Sequence, residues 1–110
     1  MKELTKKVVE FTRERDWDQF HSPENLAKSI SIEAGELLEC FQWNNECNLE
    51  EVKEELADVI NYCILMADKI GVDPKQIVLD KWKRLLRNIQ LKKQKEKVQS
   101  TTGYNYGIIN

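Results

Sequence analysis

The stretch NLEEVKEELADVINYCILMADKIG, Asn48–Gly71, decides the fold. It holds no proline, its one glycine is its last residue, and Leu, Glu, Lys and Ala recur along it, all residues that favour helix over strand. Asn48 suits an N-cap, because its side-chain oxygen can accept a hydrogen bond from a backbone N–H that the first turn leaves unpaired. Gly71 suits the stop, since only glycine enters the left-handed backbone region at no steric cost. The spacing predicts a helix from about Leu49 to Ile70. At about 100° per residue, Glu55 and Asp58 share a face with Tyr62, Leu65 and the upstream acids Glu51 and Glu54, while Leu56, Val59 and Cys63 occupy the adjacent face.

The same signals recur on either side. Upstream, Ser22-Pro23-Glu24 supplies an N-cap, a proline at the first helical position and an acid in the first turn, so a helix is expected from there to about Phe41. On it, Glu33 and Glu36 point nearly the same way as Leu26, Ile30, Leu37 and Cys40, so two acids fall within the apolar stripe. Leu4, Val8 and Phe11 mark an earlier amphipathic helix over about residues 2–15, and Asp16–His21 breaks its period. Downstream, Asp73-Pro74 repeats the cap-plus-proline signal and opens a fourth helix carrying Ile77, Val78, Trp82, Leu85, Leu86 and Ile89 to near Lys97. Trp43–Asn48 reads as a short loop. The expected architecture is all-α and four-helix bundle-like, one domain over 1–97. A tail over 98–110 is either disordered or docked on a neighbouring subunit.

Composition narrows the function classes. The chain has 110 residues, 41% hydrophobic and 33% charged, a balance that folds rather than stays disordered. A lone domain of this size buries a modest fraction of its surface, so self-association would help it. A net charge of −2 gives no general attraction to nucleic acid or to an anionic membrane. Cys40, Cys47 and Cys63 form an odd set without a C-x-x-C pair, which argues against a disulfide framework or a zinc site and for a reducing, cytoplasmic setting. The N-terminal residues never form an apolar run long enough for a signal peptide or membrane span.

The acids carry the chemistry. Residues spaced i, i+3 on a helix stand roughly 5–6 Å apart at Cβ, close enough for both carboxylates of a pair to share a metal. Burying an ionised carboxylate without a partner is costly, and neighbouring like charges add to the cost. Any single pair reads most simply as surface charge beside lysines. Two pairs on apolar faces of consecutive helices instead call for cations. Oxygen-only ligands favour Mg²⁺, with Mn²⁺ an alternative, and Mg²⁺ characteristically completes its shell with substrate phosphates. A di-iron bundle would need Glu-x-x-His pairs, whereas the one histidine, His21, lies outside both motifs.

Glu33-Ala34-Gly35-Glu36 followed by Glu55-Leu56-Ala57-Asp58 resembles the E-x-x-E…E-x-x-D signature of MazG-type all-α nucleoside triphosphate pyrophosphohydrolases. Arg15–Leu26 and Phe41-Gln42-Trp43 look like the dCTP pyrophosphatase branch of that family, and the resemblance spans about residues 5 to 90. It implies hydrolysis of a nucleoside triphosphate, dCTP or a related (d)NTP, to the monophosphate and pyrophosphate, by a helical bundle that assembles as a homodimer or homotetramer. It further implies Glu33, Glu36, Glu55 and Asp58 as Mg²⁺ ligands and catalytic residues. His21, Trp43, Tyr62 and Trp17 are implied around the nucleoside, and Lys81 near the phosphates. The fourth helix departs from the pattern: Leu85–Gln90 stands where relatives commonly carry an Asn and then a basic-Tyr-Pro run.

Each residue also has a plainer reading. His21 precedes an N-cap, where a histidine bonded to backbone is common, and the tryptophans serve equally in packing. The eight Lys and Arg residues from Lys81 to Lys97 read as a solvated face. The alternative from another class is a non-catalytic helical module whose acidic face recruits a basic partner.

Overall fold

The computed structural model describes residues 1–42 and 47–101, with side chains through residue 98. Helix α1 spans Lys2–Glu14, a 3₁₀ turn spans Trp17–Phe20, and α2, α3 and α4 span Pro23–Glu39, Leu49–Ile70 and Pro74–Thr101. No strand occurs among the described residues, as expected of an all-α chain.

Both ends of α3 fall where the cap chemistry predicts. The Asn48 side chain accepts from the Glu50 N–H at 2.9 Å. Gly71 is left-handed (φ 79°), its N–H donates to the Asp68 carbonyl, and the Val72 N–H donates to the Ala67 carbonyl, the two bonds of a Schellman stop. The start of α2 is built the same way, with Pro23 in the first turn and Ser22 Oγ accepting from the Asn25 N–H at 3.1 Å.

Two boundaries differ from the sequence expectation. Helix α2 ends at Glu39 rather than Phe41, and Cys40, Phe41 and Gln42 each donate to the carbonyl three residues back, a tightened final turn. Helix α4 continues past Lys97 to Thr101, because Lys, Gln and Glu sustain a helix and no glycine or proline intervenes before Gly103.

The break after α1 is a built corner. Asp16 adopts φ 56°, a left-handed conformation that Asp tolerates better than most residues, and Gln19 Nε2 donates back to the Asp16 carbonyl at 2.8 Å. The Asn25 side-chain amide donates to the Phe20 carbonyl at 3.1 Å, which ties the 3₁₀ turn to the first turn of α2. Arg15 lies 3.5 Å from the centre of the Phe11 ring, and Trp17 meets the same ring edge-on at 5.6 Å between centroids.

Residues Met1–Lys75 form one compact unit, and a second begins at Gln76 and consists of the remainder of α4 among the described residues. Within the first unit α3 is the central element, packed against both α2 and α1. Its core is small: Val9 from α1, Leu26 from α2 and Leu65 from α3 meet, with Val8, Tyr62 and Met66 packed around them. No described helix is long and apolar enough to cross a membrane.

A candidate metal centre beside an aromatic cavity

Helix packing brings the two acid pairs together. One carboxylate oxygen from each of Glu33, Glu55 and Asp58 lies within 4.8 Å of the others, and all three residues are half-buried. Glu36 is more exposed and stands outside this tight triad, yet it is near enough to Glu33 and Glu55 to push both of their carboxyls up.

The electrostatics follow from that crowding. Burial pushes the Glu33 carboxyl up from an ordinary 4.5 to about 6, and the Glu36 hydrogen bond and the charges of Glu36, Asp58 and Glu55 push it the same way. Burial also raises Glu55, again with help from Glu36, Asp58 and Glu54. Glu33 Oε2 and Glu55 Oε2 are shielded from solvent and have no hydrogen-bond partner. An unpartnered buried carboxylate oxygen is costly, and two of them facing one acid cluster is the arrangement a hard divalent cation with oxygen ligands satisfies. The residues present therefore fit such an ion.

A pH dependence follows. Because the folded-state pKa of Glu33 lies above its ordinary value, the folded protein holds this proton more tightly than the unfolded chain does. Its stabilising contribution is full below about 4.5 and is lost as pH rises through about 6. In chelator, the thermal midpoint of wild type should fall relative to that of Glu33→Gln across this window, and Mg²⁺ should recover the loss above it. Parallel pH curves for the two proteins in chelator would show that Glu33 carries no such strain.

Next to the acids lies a cavity of about 370 Å³ between α1, the 3₁₀ turn and α3. Phe11, Trp17 and Tyr62 wall it, and Asp58 belongs both to its lining and to the acid triad. His21 joins the lining from the segment between the 3₁₀ turn and α2, with its ring edge-on to Tyr62 at 6.4 Å. His21 Nδ1 is buried without a partner, while its backbone N–H donates to the Asp18 carbonyl.

The structure thus gathers Trp17, His21 and Tyr62 around one cavity that touches Asp58. Lys81 lies on α4, in the second unit. Trp43 lies outside the described residues. Among the lining residues to which the sequence assigns no site role, Phe11 and Asn61 stand out. Phe11 counted only as an apolar position of α1, and its 47% exposure is what frees it to form a wall. Asn61 was given no role, although its place three residues after Asp58 puts it on the cavity side of α3, a signal the helical angle carries.

An all-α chain with two facing acid pairs is the architecture of a known group, and the chain belongs to the MazG-like family, which it matches over residues 28–102. It is 35% identical over 91 residues to mouse dCTP pyrophosphatase 1 and 36% identical over 94 residues to the bovine protein of the same name, each match covering 74% of this chain and 54% of the relative. The chain therefore spans about half the length of these relatives. A crystal structure of a pyrophosphatase from Archaeoglobus fulgidus superposes with a TM-score of 0.71 at 39% identity, covering 80% of this chain and 90% of that one.

Proposed function

We propose that the chain is a Mg²⁺-dependent nucleoside triphosphate pyrophosphohydrolase with dCTP as its first substrate, releasing the nucleoside monophosphate and pyrophosphate. The observation that carries this is the pair of unpartnered buried oxygens, Glu33 Oε2 and Glu55 Oε2, in an acid cluster that shares Asp58 with an aromatic cavity. A phosphate-seeking cation site and a base-sized apolar slot meet at one residue. The names of the relatives, dCTP pyrophosphatase 1, support the same substrate class.

Glu33, Glu55 and Asp58, with Glu36 beside them, would hold Mg²⁺, or Mn²⁺ in its place. The bound ion supplies charge neutralisation for the triphosphate and acidifies the attacking water. The other roles belong to the protein. Phe11, Trp17 and Tyr62 offer ring faces and edges for a base and keep water from its planes. The free Nδ1 of His21 hydrogen-bonds the nucleoside. One of the cluster acids, or Glu54 nearby, accepts the proton of the attacking water. The family resemblance extends this reading to Lys81 for the phosphates and Trp43 for the nucleoside, within a catalytic domain over 1–97 working in the cytoplasm. Exposed Ile32 and Leu38 on α2 and Leu56 and Ile60 on α3 support assembly as a homodimer or homotetramer.

The test is pyrophosphate release from a panel of (d)NTPs, with Mg²⁺ and with excess chelator. Release that needs the metal and is fastest with dCTP is the expected result. No release from any triphosphate, together with metal-independent capture of a basic protein, would establish the non-catalytic binding module instead.

A further inference from the structure

The aromatic walls of the cavity provide stacking but no base selection, since every base has a π-face. Selection needs a group that reads the hydrogen-bonding edge at two positions at once; the unpartnered Nδ1 of His21 and the Tyr62 hydroxyl each offer a single atom, and the other polar groups in the lining are mostly engaged or unsuited. The Thr12 hydroxyl donates to the Val9 carbonyl at 2.8 Å. The Asp58 carboxylate faces Glu33 and Glu55. Lys7 has donors only, on a long flexible stem.

Asn61 is different. It lines the cavity between Asp58 and Leu65 on α3, beside Tyr62, is exposed, and its side chain makes no hydrogen bond among the described residues. A primary amide presents a donor and an acceptor in one plane, the arrangement that pairs in bidentate fashion with a base edge offering the reverse. We propose that Asn61 is the base-reading residue of this site, its amide pairing with the Watson–Crick edge of a pyrimidine held against the aromatic walls. The proposal rests on the nucleoside triphosphate reading given above. The amide accepts from the exocyclic amino group of cytosine and donates to N3. Turned over, it donates to a carbonyl oxygen of uracil and accepts from its N3–H. Asn61 therefore selects for a pyrimidine with a complete edge, cytosine or uracil.

The experiment compares dCTP, dUTP and the deoxynucleoside triphosphate of 2-pyrimidinone, which lacks the exocyclic amino group, in wild type, Asn61→Leu and Asn61→Asp. A site built to hydrogen-bond an edge discriminates against an analogue that lacks the group. Wild type should favour dCTP over the analogue by about 10-fold or more in kcat/KM, and Asn61→Leu should close that gap by losing activity on dCTP alone. Asn61→Asp, whose carboxylate only accepts and so meets one donor and one acceptor on either edge, should lower kcat/KM on dCTP and dUTP together, by about 10-fold each. The dCTP-to-analogue ratio cancels any effect on the shared triphosphate. Binding of a non-hydrolysable α,β-imido dCTP, measured by calorimetry, should follow the same order across the three proteins. Equal losses on dCTP and the analogue in Asn61→Leu, or undiminished turnover of dCTP in Asn61→Asp, would overturn the assignment while leaving the enzyme reading intact. A wild type that releases no pyrophosphate from any triphosphate overturns both.

Discussion

Replacing Glu55 by Gln should lower kcat/KM by on the order of 10³-fold, about 4 kcal/mol of transition-state stabilisation, while the protein stays helical and folded. Gln keeps the length of the side chain and one carbonyl oxygen, so the packing of α2 against α3 is undisturbed. What disappears is the charge. Glu55 carries one of the two unpartnered buried oxygens and one corner of the 4.8 Å triad, so an amide there leaves too little negative charge for a divalent cation and a triphosphate together. The same substitution removes a like charge from the crowd around Glu33. In chelator, Glu55→Gln should therefore melt no lower than wild type, and Mg²⁺ should raise its midpoint less. This opposed pair of readouts separates a lost ligand from a damaged fold. Full turnover in Glu55→Gln would remove the metal centre from the mechanism.

The second large effect is on stability. Leu26 is fully buried, at 0% exposure, and joins Val9 and Leu65 at the one point where α1, α2 and α3 meet. Truncation to Ala leaves a cavity that three helices would have to collapse to fill, and losses of about 2–5 kcal/mol are typical of such sites. Small domains have only about 5–15 kcal/mol in total, so Leu26→Ala should move the urea midpoint far to the left with the slope unchanged. Because Tyr62 packs on this cluster from the cavity side, the variant should also raise KM for dCTP at temperatures where it remains folded. A shift of less than about 1 kcal/mol would mean that the core is held elsewhere.

The parts of this structure that were legible beforehand are those set by short-range chemistry. Asn48 and Gly71 fix the two ends of α3 because a side-chain acceptor and a left-handed backbone act within one turn. Ser22 and Pro23 do the same for α2. The acid cluster was legible for a related reason: a carboxylate at an apolar angle of a helix is a local conflict that some partner must resolve, and two such conflicts on consecutive helices point at each other. The cavity was not legible. It arises where α1, the left-handed corner at Asp16 and α3 converge, and no single helix carries a trace of it. Phe11 looks like any core position until the structure shows it half exposed, and Asn61 looks like any polar residue until a pocket opens beside it. The tightened end of α2 and the extra turn of α4 show the complementary weakness, since helix propensity alone places an end poorly where no cap decides it.

The corner at Asp16 also makes Trp17 a built-in optical probe. Its indole meets Phe11 edge-on, has the Arg15 guanidinium 5.9 Å from its ring, and is 47% exposed on the cavity wall, so under the proposed function its surroundings would change from water to a heterocycle as the cavity fills. With Trp43 and Trp82 replaced by Phe, the remaining emission comes from this single ring. Quenching and a blue shift on adding nucleotide would then report occupancy of the base slot in real time, without waiting for a phosphoanhydride bond to break.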